Sequence, residues 1–251
     1  MKTYGILCVI ILVFPSVLMA QRDIDSGVGR DKSFNIAIVL GAARHMHEGS
    51  FGTPEFDEER GEFGKGAGIG PLVGTRIDIP LARSVVFSPR VLGECLTGEF
   101  TSSKLSLPIV GHNMEPDVMT VEQRLDANIK VLTVDLPLAW VFGGSGLYVV
   151  VGPSLSLAVS EYYELNESIV QPSGVSYLDG TTETKLFTGD LDLTRKMQIG
   201  LRGGFGYNFP VSTDIKIGLE LLFHFALSNM HESGEWNRSA VLLSTALLFT
   251  L

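Results

Sequence analysis

Hydrophobic and polar residues alternate in a series of runs along most of the chain. In a β-strand successive side chains point to opposite faces, so an alternating run predicts a strand with one apolar face and one polar face. Eight such runs occur, at residues 34–41, 66–79, 84–97, 121–131, 147–158, 196–207, 214–225 and 241–251. The pattern predicts an all-β chain with about eight strands.

The connections between these runs alternate in length. Residues 80–83, 142–146 and 208–213 are short connections, whereas residues 43–65, 98–120 and 161–193 are long ones. Outer-membrane β-barrels have short periplasmic turns and longer extracellular loops. We therefore predict a transmembrane antiparallel up-and-down β-barrel over residues 34–251. Ten strands remain an alternative, because residues 161–193 are long enough to hold a further hairpin around Gly174.

The orientation of the two faces distinguishes a membrane barrel from a soluble one. A soluble barrel turns its apolar side chains inward, whereas a membrane barrel turns them toward lipid. The apolar faces here are long and nearly unbroken, and the opposite faces are rich in glycine, which suits a crowded lumen. This arrangement favours the membrane orientation.

The inward faces would then carry seven cations and six anions. These residues are Arg76, Arg90, Arg124, Lys130, Lys196, Arg202 and Lys216, with Asp78, Glu94, Glu122, Asp126, Asp214 and Glu220. An eight-stranded barrel is only just wide enough for side chains to fill it. We therefore predict a plugged lumen in which these charges form ion pairs. A narrow ion path is the alternative.

The run at residues 121–131 has an irregular continuation. Its apolar positions, such as Leu125 and Ile129, are odd-numbered, but from Leu132 onward the apolar positions are even-numbered. A β-bulge would produce such a change of parity. The end of the environment in which the strand has two different faces would produce it as well.

The N-terminus has the features of a secretory signal. Lys2 precedes an apolar stretch, and Ala20 is a small residue at its end, which predicts a signal peptide at 1–20 and a flexible segment at 21–33. Only this stretch approaches the ~18 apolar residues of a membrane-spanning helix. Cleavage would remove Cys8 and leave Cys95 alone, so no intrachain disulfide is expected. The expected location is the bacterial outer membrane.

Three segments resemble a known family. Residues 132–138 (LTVDLPL), followed by 147–155 (LYVVVGPSL), and the glycine-rich run at 200–207 are similar to the outer membrane protein beta-barrel domain family, also called PorT-like or porin-family proteins, of Bacteroidetes and their relatives. The C-terminal residues 246–251 resemble a barrel-assembly signal, with Leu251 in place of the usual terminal aromatic residue. The resemblance implies the barrel fold over roughly residues 34–251, and it implies no catalytic residues.

Several residues have the chemistry of a site without a complete motif. His45 and His47 with Glu48 are a conceivable metal site, and the acidic residues from Glu55 to Glu62 a conceivable calcium site. His224 and Ser228 suggest comparison with outer-membrane hydrolases, but a triad needs a third, orienting group. We expect no catalytic residue, no cofactor and no metal.

The predicted function is therefore that of a non-enzymatic surface protein with a structural, adhesion or ligand-binding role. Its expected partners are outer-membrane lipid, the barrel-assembly machinery during biogenesis, and an extracellular ligand at loops 43–65, 98–120 and 161–193. The formal net charge of −9 argues against nucleic acid, which is bound through cations. Alternatives are a narrow porin-like channel for small solutes and an accessory component of an envelope secretion or assembly machine.

Overall fold

The computed structural model of the protein describes residues 34–51, 63–102, 104–110, 116–143, 145–190, 195–230 and 235–251. The predicted signal peptide and the segment 21–33 lie outside the described residues. The strands are β1 (Asn35–Phe51), β2 (Phe63–Pro80), β3 (Val85–Phe87), β4 (Arg90–Ser102), β5 (Leu105–Val110), β6 (Pro116–Asp135), β7 (Leu138–Val141), β8 (Leu147–Gln171), β9 (Glu183–Gly189), β10 (Met197–Pro210), β11 (Ile215–Ala226) and β12 (Glu235–Thr250). None of the described residues belongs to a helix long and apolar enough to span a membrane.

Eight of these strands close an antiparallel ring. In order around the ring they are β1, β2, β4, β6, β8, β10, β11 and β12. The last strand pairs with the first from Asn35↔Thr250 to Ser50↔Glu235. Closure removes the free edges that an open sheet would present. The predicted antiparallel barrel of about eight strands is confirmed.

The other four strands lengthen members of the ring. β3 and β7 continue β4 and β6 toward the short turns, beyond interruptions at Pro89 and Pro137. Proline has no amide hydrogen for the ladder, which explains why the pairing breaks at these two positions. At the opposite end, β5 pairs with β6, and β9 pairs with β8.

The predicted short turns are confirmed, with shifted boundaries. They occupy residues 81–84, 142–146 and 211–214 at one end of the barrel. Gly146 has a φ of 83°, a conformation that favours glycine. A Cβ atom there would lie 2.5 Å from the Asn208 carbonyl oxygen, so the turn also requires the absence of a side chain.

The three long loops were predicted wrongly over much of their length. β1 extends to Phe51, β4, β5 and β6 occupy most of residues 98–120, and β8 and β9 occupy 161–171 and 183–189. A turn around Gly174 does connect β8 to β9, but it extends two ring strands and adds none. Pairing continues past the predicted ends because the barrel acquires a second, apolar interior there.

A band of apolar side chains covers the outside of the barrel between the short turns and this second interior. Exposed members of the band are Ile36, Ile38, Leu40, Ile69, Val73, Ile77, Val91, Leu132, Leu155, Leu157, Met197, Ile199, Phe205, Leu219, Phe223, Leu243 and Leu247. Exposed aromatic residues near the short turns are Phe34, Phe142, Tyr207, Phe209 and Phe249. An outward apolar band edged by aromatic residues is the surface of a membrane barrel.

The polarity of the barrel inverts partway along its strands. On the part of β6 that follows Val131, the apolar Leu132 faces outward and the charged Asp135 is buried. On the part that precedes Val131 the arrangement is reversed, because Ile129 is buried and Lys130 is exposed. The odd-numbered residues of β6 face inward on both sides of Val131, so β6 itself has no bulge. The change in sequence pattern marks the end of the apolar band.

A bulge does occur beside this point, on the neighbouring strand. Lys130 pairs with Ser160 and Val131 pairs with Ala158, which leaves Val159 of β8 without a partner. The side chain of Val159 is 72% exposed. An extra residue of this kind bends its strand and increases the local twist.

Candidate functional site

The lumen enclosed by the apolar band contains an ion-pair network centred on Glu220, here called the Glu220 cluster (Arg76, Asp78, Arg90 and Glu220). Arg76 Nη1 donates to Glu220 Oε1 at 2.6 Å, and Arg90 Nη1 donates to Oε2 at 2.7 Å. Tyr148 also donates its hydroxyl to Oε1, at 2.7 Å. The other carboxylate, Asp78, accepts from Arg76 Nη2 at 2.9 Å. Two cations and two anions are therefore paired.

A second group of ion pairs, the Arg202 cluster (Glu94, Asp135 and Arg202), joins β10 to β6 and to β4, the strand that also carries Arg90. Arg202 Nη1 donates to Asp135 Oδ2 at 2.7 Å, and its Nη2 donates to Glu94 Oε1 at 2.8 Å. All three side chains are almost fully buried. Buried charges are stable only when paired and hydrogen-bonded, and this fork-like geometry is the one that arginine forms best.

Little space remains between the two clusters. A cavity of about 10 Å³ lies there, lined by Arg90, Asp135, Pro137, Val150, Arg202 and Leu222. This is about the space that one water molecule needs. Within the described part of the chain, the interior at this level is filled by side chains, as the narrow circumference of eight strands requires.

Arg238 is a buried arginine of a different kind. Its Nη2 lies 2.9 Å from His224 Nε2, while its Nε and Nη1 atoms have no hydrogen-bond partner within the described structure. His224 Nδ1 in turn lies 3.4 Å from Ser154 Oγ. Since arginine only donates, His224 accepts at Nε2, and its Nδ1 carries the proton.

An apolar cluster, here called the apolar cap, closes the barrel on the side of the ion pairs that is farther from the short turns. Its buried members are Phe63, Leu96, Phe100, Leu125, Ala127, Ile129, Val131, Tyr163, Leu165, Met230 and Trp236. The rings of Phe100 and Trp236 meet edge to face with centroids 5.2 Å apart, a favourable geometry for aromatic pairs. The cap is the packed core of the part of the barrel whose outer face is polar.

His47 connects the cap to the barrel wall. Trp236 Nε1 donates to His47 Nδ1 at 3.0 Å, and His47 Nε2 lies 3.0 Å from the carbonyl oxygen of Thr97. Indole only donates, so Nδ1 is an acceptor and Nε2 carries the proton that goes to Thr97. On β1 the outward residues beyond Ala42 are Arg44, the exposed Met46 and Glu48, so charged positions flank His47 and place it beyond the band. Burial lowers the pKa of His47 to about 4.

Beyond the cap, β5, β9 and the adjoining ends of β6 and β8 form a four-stranded outer sheet in the order β5-β6-β8-β9. Within it Gln123 Nε2 donates to Glu167 Oε2 at 3.0 Å, and the Tyr177 hydroxyl donates to Oε1 at 2.9 Å. Lys185 pairs with Glu164 at 2.9 Å. These contacts make the sheet a rigid projection from the barrel.

The outer sheet ends in a turn between β8 and β9. Tyr177 and Thr181 are joined by a backbone hydrogen bond of 2.8 Å, and Asp179 Oδ1 accepts both the amide and the hydroxyl of Thr181. Leu178 lies at the apex and is fully exposed. An ordered turn therefore presents an apolar side chain to solvent at the point farthest along the hairpin.

Six of the thirteen charges predicted for the lumen are buried there: Arg76, Asp78, Arg90, Glu94, Arg202 and Glu220. The prediction was wrong for the others, because five lie where the band has ended and two lie near a short turn. Arg124, Lys130, Lys196 and Asp214 are exposed, and Glu122, Asp126 and Lys216 are half-buried. The sequence analysis missed Asp135 and Arg238.

The structure separates the candidate metal and hydrolase residues. His45 and His47 are buried inside the barrel, whereas Glu48 is exposed and lies 3.5 Å from Lys65. Among the described residues no group of three or more His, Cys, Asp or Glu could hold a metal ion. The acidic residues Glu55 to Glu62 lie outside the described residues. Ser228 Oγ is bonded to the backbone of Ile199 and not to His224.

No family model matches the chain, and no curated protein matches it. Solved structures with a similar fold include the attachment invasion locus protein Ail of Yersinia pestis, with a TM-score of 0.35 and 8% identity over 86% of this chain and 98% of that one. Another is the outer membrane protease OmpT of Escherichia coli, with a TM-score of 0.35 and 8% identity over 90% and 99%. Neisserial surface protein A gives a TM-score of 0.30 and 11% identity over 88% and 99%. Likeness at this level assigns no activity, and the resemblance to PorT-like proteins stays a prediction.

Proposed function

We propose that this chain is a closed outer-membrane β-barrel protein that displays a rigid sheet at the cell surface for adhesion or ligand binding, and that it is not an enzyme. The observation that carries the proposal is the filled interior. The Glu220 cluster, the Arg202 cluster and the apolar cap follow one another along the barrel. A solute would have to displace paired charges and then the packed side chains of the apolar cap.

The apolar band supports the membrane location. Large contiguous apolar surfaces are rare on soluble monomers, and here the band encircles a barrel whose interior is charged. A bilayer satisfies this surface, and each of the eight ring strands pairs with a neighbour on both sides, as a membrane-spanning barrel requires.

The outer sheet supports the binding role. Function is concentrated in segments held by a rigid scaffold beyond the membrane. The sheet is extended, cross-linked by side-chain hydrogen bonds, and tipped by the exposed Leu178. The predicted ligand regions 43–65, 98–120 and 161–193 contribute to this end of the barrel, mostly as strands. The barrel-assembly machinery remains a predicted partner during biogenesis.

Conductance tests the closed state. The purified protein is reconstituted into planar bilayers beside a general porin as positive control. We expect no discrete conductance steps from this chain. Regular steps at the same protein density would replace the proposal with the narrow channel.

Cell adherence tests the display role. Cells that express the chain are compared with cells that express a variant in which residues 169–182 are replaced by an Asn-Gly turn, which suits a tight hairpin between the paired Ser168 and Glu183. Each of the two proteins should change its gel migration on boiling, as folded barrels do, which shows that both are folded. Only the complete chain should increase adherence to other cells or to polystyrene. Equal adherence would remove the display role, and a large envelope complex that co-purifies with both would favour the accessory-subunit alternative.

A further inference from the structure

Three cations surround the bulge on β8 at the edge of the apolar band. Lys130 of β6 pairs with Ser160 on one side of the bulge. On the other side, the amide of Ala158 donates to the carbonyl of Lys196 at 2.8 Å, and Arg195 precedes Lys196. Neighbouring strands lie about 4.8 Å apart, so the backbones that carry these cations are separated by roughly 10 Å. We call Lys130, Arg195 and Lys196 the basic rim.

The basic rim differs from the other exposed cations near it. Lys65, Arg124 and Lys185 each pair with a carboxylate, Glu48, Asp126 and Glu164 respectively. Within the described structure, no ion pair includes a residue of the basic rim, and all three of its residues are exposed. Among the described residues their charge has no carboxylate partner, so it can meet an external anion.

An apolar row lies directly below the basic rim. Leu132 pairs with Leu157, and Leu157 pairs with Met197, so these three residues stand side by side on adjacent strands. All three are exposed, and Val159 adds its own apolar surface beside the cations. An acyl-compatible surface beside cations that have no carboxylate partner among the described residues is complementary to a lipid with an anionic headgroup.

We infer that the basic rim binds the phosphate headgroup of an anionic membrane lipid, whose acyl chains lie along Leu132, Leu157 and Met197. Ser160 and Tyr162 follow the bulge, and Tyr162 is exposed, so hydroxyl donors are available to the same phosphate. The inference rests on the membrane location proposed above.

Insertion is measured first, because it separates the two proposals. The protein is folded into phosphatidylcholine vesicles, and its gel migration is compared with and without boiling. This step needs no anionic lipid. A failure to insert would overturn the membrane location, whereas insertion without lipid preference would overturn only the basic rim.

Lipid binding is then measured by thermal unfolding in a zwitterionic detergent. The titrants are short-chain phosphatidic acid, phosphatidylcholine with the same chains, and inorganic phosphate. We expect phosphatidic acid to raise the unfolding midpoint and the other two to leave it unchanged. Equal stabilisation by inorganic phosphate would show an ion site and overturn the lipid assignment.

Two triple variants with the same loss of charge make the test specific. The rim variant is Lys130→Gln, Arg195→Gln and Lys196→Gln, and the control is Lys65→Gln, Arg124→Gln and Lys185→Gln. Each basic residue near an anionic lipid surface contributes about fivefold, so the rim variant should bind phosphatidic acid roughly 100-fold more weakly. The control should bind like the unmodified chain. Equal losses in both variants would reduce the effect to net charge and overturn the inference.

Discussion

Arg76 Nη1 and Glu220 Oε1 lie 2.6 Å apart, although 144 positions separate the two residues along the chain. Arg76 stands on β2 and Glu220 on β11, strands that are not neighbours in the ring. The ion pair therefore bridges the lumen and ties opposite parts of the wall together. It acts as an internal strut among the buried apolar side chains of this part of the barrel, such as Ala37, Leu222 and Leu248.

Removal of the shared carboxylate should be costly. In Glu220→Leu, Arg90 loses its anion and Arg76 keeps only Asp78, so we expect a loss of about 3–5 kcal/mol in the free energy of unfolding. Urea unfolding in detergent, followed by tryptophan fluorescence, measures it. Glu164→Leu, which removes the surface partner of Lys185, should lower the free energy of unfolding far less. Similar losses in both variants would contradict a structural role for the buried network.

A charge on the apolar band should oppose membrane insertion. Leu219 lies in the middle of the outward face of β11 and is exposed. Leu219→Arg should destabilise the folded protein in phosphatidylcholine bilayers by about 2–4 kcal/mol. Asn128→Arg, on the outward face of β6 beyond the band, is the matched control and should be nearly neutral. If Leu219→Arg folds into vesicles as well as the unmodified chain, the outward face is not in lipid.

The free energy of unfolding should decrease as the pH is lowered, because His47 is protonated more easily in the unfolded chain than in the folded one. The pKa of a histidine in the unfolded chain is about 6.5, and burial lowers that of folded His47 to about 4. Between these values the unfolded chain binds more protons, so the contribution is complete above pH ~6.5 and decreases as the pH falls. Protonation of Nδ1 would also remove the acceptor of the Trp236 hydrogen bond.

Urea unfolding at pH 7.5, 5.5 and 4.5 tests this dependence. In His47→Gln the decrease between pH 7.5 and 4.5 should be smaller than in the unmodified chain. An unchanged slope in His47→Gln would show that His47 does not titrate in this range.

Close packing at Gly152 should exclude any side chain. A Cβ atom there would lie 2.3 Å from Pro137 Cα, where β6 is interrupted before β7. Gly152→Ala should therefore cost about 1–3 kcal/mol through overpacking. Gly93→Ala, whose Cβ would meet no heavy atom closer than 3.7 Å, is the control. Equal unfolding midpoints would mean that β8 and the Pro137 segment adjust freely.

The orientation of the strands within the apolar band could be predicted because their outward and inward faces differ so clearly in polarity. On β11 the outward Leu219 and Phe223 alternate with the inward Glu220 and His224, and the structure has this orientation. The short turns could also be predicted, since they interrupt the alternation with glycine, proline and polar residues. Alternation, turn length and the narrow lumen together indicated paired charges around Glu220 and Arg202.

Beyond the apolar band, where the apolar cap fills the interior, the orientation of the strands could not be predicted from alternation alone. Ile129 and Lys130 alternate as regularly as residues in the apolar band, but here the apolar residue faces the interior and the charged residue faces outward. A period of two fixes which residues share a face and leaves open which face is inside. Asp135 was missed for a related reason, because it follows the change of parity at Val131. Arg238 was missed because the prediction began the last strand at Val241.

The inversion of polarity along β6 has a consequence for how the chain reaches its final orientation. The outward Arg124 and Lys130 must pass the hydrocarbon region before the outer sheet can fold on the far side. Each such residue costs about 2–4 kcal/mol at the midplane, so translocation of this hairpin is uphill until the cap packs. Once the cap has formed, the same charges oppose the reverse passage. The charged outer face of this region therefore makes insertion hard to reverse, and the barrel keeps the topology with which it entered the membrane.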